Sequence, residues 1–271
     1  MPHKIRDKAG MFPHYRKMKE YGLIGHPLEH SFSKKFFTDK FCREGIDASY
    51  TNFDIPHASM LMDIIQERPN LVGVNCTIPH KESVMQILDK ITPEAQEIGA
   101  VNVIKILRSK DHGTGTPERG FRLIGYNSDI LGFKQSIAPL LKASHKNALI
   151  LGTGGAAKAV AVGLRQLGLT YTNVSRKPKE GHLTYEDITT ATMNKFQVIV
   201  NCTPVGMFPH IDEAPQLPYE SLTPQHLLFD LIYNPEETLF LKKGKEQGAA
   251  TQNGMDMLRL QALAAWDIWT K

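Results

Sequence analysis

Residues 147–166, NALILGTGGAAKAVAVGLRQ, restrict the fold more than any other stretch of this chain. Ala148–Leu151 is a short apolar run that reads as a buried strand. Gly152-Thr-Gly-Gly-Ala-Ala157 follows at once, and from Ala156 to Gln166 the residues are mostly small or apolar and non-breaking, which reads as a helix. Six letters alone are a weak signal, but strand, glycine turn and helix form the setting in which G-x-G-x-x-G/A has a mechanism. Gly152 makes the tight turn, Gly154 lets backbone amides approach a pyrophosphate, and Ala157 in the third position lets helix pack on strand. The helix N-terminus then offers free N–H groups and a positive dipole to phosphates. The plain alternative is an ordinary strand-to-helix turn of an α/β protein.

A chain of 271 residues is long enough for two modest domains, and 41% hydrophobic with 22% charged residues are globular values. The net charge of +4 carries no basic block, so nothing points to nucleic acid, while a mild positive balance suits anionic ligands. The three cysteines, Cys42, Cys76 and Cys202, are far apart and odd in number; they offer neither a metal spacing nor a disulfide framework. They read as reduced thiols of a cytoplasmic protein, and no metal is expected. No run approaches a membrane span, and the polar residues 1–19 lack the apolar core of a secretory signal. Residues 1–20 read as an N-terminal extension, disordered by expectation.

From Tyr21 strands and helices alternate. Strands are expected at Tyr21–Gly25, Ser49–Phe53 and Leu71–Asn75, and helices at Lys34–Glu44, Ala58–Gln66, Glu82–Leu88 and Pro93–Ile98. Val101–Leu107 and Phe121–Tyr126 read as two strands joined by an exposed polar link, Ser109–Gly120. This half predicts a mostly parallel sheet with one hairpin. A helix over Ile130–Lys142 bridges to the glycine motif, and further strands are expected at Tyr171–Ser175, Phe196–Asn201 and Leu227–Ile232. Helices are expected at Thr238–Gln247 and Met255–Trp269.

Three polar stretches fall where open α/β sheets place ligands, at the carboxyl ends of strands: Asn75–Lys81, Asn127–Asp129 and Tyr233. Each has a bland reading taken singly. A lysine after proline is commonly a solvated helix start, an aspartate before a helix an N-cap, and paired loop serines turn formers.

Taken in order, these motifs resemble the shikimate dehydrogenase family along nearly the whole chain from Tyr21. The matching residues are Gly25-His-Pro with His30-Ser-Phe-Ser33, Asn75-Cys-Thr-Ile-Pro-His-Lys81, Gly99-Ala-Val-Asn102, and Gly125-Tyr-Asn-Ser-Asp129 with Gly132. They continue through Gly152-Thr-Gly-Gly-Ala-Ala157, Asn201-Cys-Thr-Pro-Val-Gly-Met207, Asp230-Leu-Ile-Tyr233 with Pro235 and Thr238, and Gly254-Met-Asp-Met-Leu258 with Gln261. The resemblance implies reduction of 3-dehydroshikimate to shikimate with NADPH, a step of aromatic amino-acid biosynthesis. It implies an α/β fold of two domains: a substrate domain of residues 21–128 and 254–271, and a Rossmann-type NADP domain of residues 129–253, with a cleft between them.

By position it also implies roles. Ser31 and Ser33 hold the substrate carboxylate; Asn102, Thr77, Asp129 and Gln261 bind ring hydroxyls; Tyr233 lines the pocket; Lys81 and Asp129 form the catalytic pair. Gly152, Thr153, Gly154, Gly155, Ala156, Ser175, Arg176, Lys177, Thr203, Gly254 and Met257 fall to the cofactor. The chain departs from the family pattern at Lys34, where proline is usual, at Ser128 in place of threonine, and at Ser175-Arg-Lys177 in place of Asn-Arg-Thr.

Cofactor choice is also readable from the residues. An NAD site places a carboxylate at the end of the second strand, about 20 residues past the glycines. Here Arg176 and Lys177 follow that strand and no carboxylate occurs before Glu180, which favours a 2′-phosphate and hence NADP. Two other readings stay open: a broader quinate/shikimate dehydrogenase or paralogue for another small hydroxy acid, and a non-catalytic NADP-binding regulatory module. No partner other than a small molecule is expected, with monomer and homodimer both compatible with the sequence.

Overall fold

Two six-stranded sheets share the strands between them, in a computed structural model that describes residues 18–28, 31–108 and 119–271. The first is built from β1 (Lys19–Gly25), β2 (Ala48–Asp54), β3 (Leu71–Cys76), β4 (Lys90–Ile91), β5 (Val103–Arg108) and β6 (Phe121–Tyr126), in the order β2-β1-β3-β5-β6-β4. All neighbours run parallel except β5, which is antiparallel to both β3 and β6, so the expected single hairpin is β5–β6. Residues 109–118 of the expected Ser109–Gly120 link, and residues 1–17 of the expected extension, lie outside the described residues, as do Glu29 and His30. Lys19 and Glu20 already belong to β1, paired with Ala48 and Ser49.

The helices of this half start and stop at their sequence signals. Helix α1 (Phe32–Glu44) has Ser31 as N-cap, its hydroxyl oxygen accepting from the Lys34 amide at 3.2 Å, and Gly45 at φ 62° ends it. Helix α4 (Pro93–Ile98) has Thr92 as N-cap, proline at its start and Gly99 at φ 68° after it. Two expected helices are shorter than their apolar patterns. Ala58–Met60 is a 3₁₀ turn before α2 (Leu61–Glu67), and α3 (His80–Ser83) passes into a second 3₁₀ turn at Val84–Ile87.

The second sheet holds β7 (Asn147–Leu151), β8 (Thr170–Ser175), β9 (His182–Thr184), β10 (Val198–Asn201), β11 (Leu227–Asp230) and β12 (Ala250–Gln252). All its pairs are parallel, in the order β12-β11-β10-β7-β8-β9. Renumbered from β7 this is the 3-2-1-4-5-6 order of the dinucleotide fold, with its switch point between β7 and β10. Its helices are α5 (Asp129–Ile137), α6 (Gly155–Gln166), α7 (Thr190–Met193) and α8 (Leu239–Glu246). The apolar pattern predicts that α5 runs on to Lys142; Pro139 sits instead at the start of a separate 3₁₀ turn, Ala138–Leu140.

Helix α9 (Met255–Thr270) leaves the second sheet and crosses back to the first. Its Ala262, Ala265 and Trp269 pack with Tyr21, Phe37, Phe41 and Tyr50, and Trp269 Nε1 donates to the Ile104 carbonyl at 3.1 Å. Helix α5 lies against α9 so closely that a Cβ on Gly132 would stand 2.5 Å from the Met257 carbonyl oxygen.

Candidate active site

The crevice at the β7/β10 switch point is lined by the chain just past three strand ends. Gly152–Gly154 follow β7, Val174–Arg176 close β8, and Cys202–Val205 follow β10; Tyr185 and Glu213–Gln216 complete a cavity of about 780 Å³. Gly152 has φ 113°, the left-handed region that side chains disfavour. A Cβ on Gly154 would meet nothing within 4 Å, so its backbone faces open crevice, and among the described residues no side chain caps the α6 N-terminus beside it. Free amides, a helix dipole and an uncrowded glycine are what a pyrophosphate requires, so the crevice fits a dinucleotide. Beyond it, Ser175, Arg176, Lys177, Pro178 and Lys179 with Thr153 line an outer basin of about 660 Å³, carrying three cations.

A smaller cavity of about 200 Å³ lies over the first sheet. Ser31, Phe32 and Ser33 at the start of α1, Asn75–Thr77 at the end of β3, Lys81 on α3, Asn102, Tyr233, and Leu258, Gln261 and Ala262 on α9 line it. Thr77 belongs to this cavity and its neighbour Ile78 to the dinucleotide crevice, so the two spaces meet at one peptide unit.

At that junction Lys81 Nζ donates to Asp129 Oδ2 at 2.6 Å. Asp129 is the first residue of α5, where the helix dipole favours negative charge, and it is 2% exposed. Its other oxygen accepts from Asn102 Nδ2 at 2.8 Å, and that amide also lies 3.3 Å from Gln261 Oε1. Asn102 Oδ1 accepts from the Ser128 amide at 2.7 Å, which fixes the Asn102 side chain from behind. The Lys81 carbonyl takes the Val101 amide at 2.7 Å, so the base of the lysine is tied down as firmly as its tip. Gly155 adds close packing on this side: a Cβ there would stand 3.7 Å from Lys81 Cβ.

The structure thus gathers Ser31, Ser33, Thr77, Lys81, Asn102, Tyr233 and Gln261 around one cavity, with Asp129 behind Lys81. Gly152, Thr153, Gly154, Ser175, Arg176 and Thr203 line the crevice, with Lys177 in the outer basin, while Gly155 and Ala156 open α6. Gly254 and Met257 stand apart from the crevice lining: a Cβ on Gly254 would collide with the Leu231 carbonyl, and Met257 is 5% exposed within the core under the second sheet.

Sequence reasoning missed Tyr50 and the use made of Asn75. Tyr50, on β2, donates to Asn75 Oδ1 at 2.8 Å, and Asn75 Nδ2 donates to the Asn102 carbonyl at 3.3 Å. Burial holds the Tyr50 hydroxyl well above the usual phenol range, with Ser33 acting the other way. Tyr185 and Gln216 in the crevice were missed as well; Tyr185 opens the 3₁₀ turn Tyr185–Asp187, Gln216 lies outside any helix or strand, and neither belongs to a motif. Burial pushes the Cys76 thiol up to about 12, and Cys202 is raised by burial and by Asp230, so both thiols are neutral linings rather than thiolate nucleophiles. Among the described residues no group of three or more His, Cys, Asp or Glu is placed to hold a metal ion.

A dinucleotide fold whose crevice opens onto a polar cavity with a lysine–carboxylate pair at the junction defines a two-domain oxidoreductase. A profile of the family described as shikimate dehydrogenase substrate binding domain matches residues 23–104. The chain is 36% identical to the shikimate dehydrogenase (NADP(+)) of Desulforamulus reducens, over 94% of this chain and 90% of that one. It superposes with a TM-score of 0.78 on the Thermus thermophilus shikimate 5-dehydrogenase solved with NADP(H) and shikimate, at 32% identity, covering 93% of this chain and 94% of that one. A 5-ketofructose reductase from Gluconobacter shares the fold at a TM-score of 0.76 and 29% identity, each chain covered to 94%. The chain belongs to the shikimate dehydrogenase family.

Proposed function

We propose that this protein interconverts 3-dehydroshikimate and shikimate with NADPH and NADP as the redox pair, with Lys81 and Asp129 as the catalytic pair. The observation that carries the reading is the 2.6 Å Lys81–Asp129 contact at the meeting point of a dinucleotide crevice and a small polar cavity. The similarity to NADP-dependent shikimate dehydrogenases over 94% of the chain supports the same reading.

The bound cofactor supplies the hydride. Hydride arriving at a ketone carbon builds negative charge on its oxygen, which needs a proton donor within hydrogen-bond reach. Lys81 Nζ meets that need: its N–H bond breaks as the new O–H bond forms. Asp129 holds the ammonium in place before transfer. In the reverse direction neutral Lys81 takes the hydroxyl proton. Ser31 and Ser33 hold the carboxylate through their hydroxyls. Since Ser31 Oγ already accepts from the Lys34 amide, its proton is left to donate outward. Asn102, Thr77 and Gln261 bind the ring hydroxyls. Small size suits the cavity to one ring.

The assay is reduction of NADP by shikimate, followed at the nicotinamide absorbance, with quinate and NAD as parallel arms. Lys81→Ala is expected to lower turnover by about 10²-fold or more with cofactor binding unchanged. Wild-type turnover in that variant would remove Lys81 from the mechanism. Arg176→Ala is expected to raise the NADP Michaelis constant by about 1.5–3 kcal/mol per charged hydrogen bond lost and to leave NAD unaffected. Equal efficiency of the unmodified enzyme with NAD would overturn the cofactor preference.

A further inference from the structure

Behind the dinucleotide crevice lies a buried polar chain that the proposed reaction does not use. Asn201 closes β10 and Asp230 closes β11, side by side in the sheet register, and both are fully buried. Asp230 Oδ1 accepts from Asn201 Nδ2 at 3.0 Å and from the Ile232 amide at 3.0 Å, and its Oδ2 accepts from the Thr238 hydroxyl at 2.6 Å. Asn201 Oδ1 in turn accepts from the Thr203 hydroxyl at 2.6 Å and the Thr203 amide at 3.0 Å. The Thr203 hydroxyl is therefore turned inward. Its methyl faces the crevice, 3.3 Å from where a Cβ on Gly152 would stand. On the other branch, the Ile232 amide fixes the turn that delivers Tyr233 to the polar cavity.

Two strand ends need no carboxylate to hold them together. Apolar residues do this at no desolvation cost, whereas a buried ionisable group is expensive and burial pushes the Asp230 carboxyl up to about 6. The expense makes sense if one group must fix two loops at once. We propose that Asp230 is a positioning residue that sets Thr203 against the dinucleotide, through Asn201, and Tyr233 against the second substrate, through the Ile232 amide. The inference rests on the oxidoreductase reading given above and assigns Asp230 the coupling between its two binding spaces.

The branches separate by mutation. Asn201→Ala cuts only the Thr203 branch: NADPH binding, read by nicotinamide fluorescence without turnover, is expected to weaken by about tenfold, with the shikimate Michaelis constant within about twofold. Asp230→Ala cuts both branches and raises both constants. Asp230→Asn restores both to within about threefold, because the amide oxygen still accepts from Asn201 and Ile232. Thr238→Val removes a bond to the same carboxylate on the side away from both loops, so it lowers the melting temperature and leaves both constants alone. If Asn201→Ala and Asp230→Ala lower only the melting temperature, with NADPH binding as in the wild type, the proposal is overturned. Should Asp230→Ala fail to fold, the fluorescence of Asn201→Ala decides alone. Unmodified protein that binds NADPH but turns over no shikimate would refute the substrate assignment and leave this test standing.

Discussion

Tyr50 shows how a residue outside every motif reaches the chemistry. Its ring is 5% exposed and stacks on Phe37 at 4.9 Å, as an ordinary core aromatic does. Its hydroxyl, however, holds Asn75, a residue of the polar cavity. Tyr50→Phe keeps the packing and strips the hydroxyl, leaving Asn75 Oδ1 with one donor fewer. The expected cost is about 1 kcal/mol in stability, with a severalfold rise in the shikimate Michaelis constant and little change in turnover. Denaturant melts and steady-state kinetics measure these separately; an unchanged Michaelis constant would reduce Tyr50 to packing alone. The sequence hid this role because an alternating strand such as Ser49–Phe53 announces burial, and burial says nothing about where a hydroxyl points.

At the scale of elements, glycine decides how closely α5 and α9 approach. A methyl on Gly132 would press on backbone at Met257 and Gln261, 2.5 and 3.1 Å away, which no rotamer change relieves. Gly132→Ala is expected to cost about 1–3 kcal/mol and, because Gln261 faces the cavity, to raise the shikimate Michaelis constant as well. Calorimetry and kinetics on one preparation test both; a variant with wild-type melting would show that α9 can move aside freely. Signals of this local kind were legible. The glycine turn after β7, the proline and glycine bounding α4, and the order of polar motifs at strand ends all place themselves from sequence. Strands β4, β9 and β12, of two or three residues each, did not, since so short a segment carries no period to read. The Asp230–Asn201 chain was illegible for another reason: polar residues at strand ends look like loop starts until the sheet register sets them side by side.

Stability of the whole molecule carries the cost of Asp230. Its carboxyl holds its proton up to about pH 6 when folded, against a reference of 3.8. The native state thus binds the proton more tightly than the unfolded chain, and stability from this group falls as pH rises from 3.8 to about 6, then stays level. The span corresponds to about 3 kcal/mol. Asp230→Asn removes this slope, so the difference in unfolding free energy between variant and wild type should grow across that window; a pH-independent difference would show that the folded carboxyl is not perturbed. Between the two halves, Ile98 and Ala100 pack with Ile130, Ala159 and Val162, and Lys158 and Arg165 of α6 pair with Glu82 and Glu97 across the seam. Exposed ion pairs add little, so the apolar contacts hold the seam and α6 is anchored to both halves.

The return of α9 has a consequence for how the chain is made. Trp269 and Ile104, joined by a hydrogen bond, stand 165 residues apart. At synthesis rates of about 5–20 residues per second, the ribosome needs roughly ten to thirty seconds to cover that distance. Throughout that interval Tyr21, Phe37, Phe41 and Tyr50 wait without the helix that covers them, while the strands of the second sheet, β7 to β12, are still being added. The first half of this protein is therefore the last to finish, and an aromatic surface waits in the open for a chaperone or for residues 255–270, whichever arrives first.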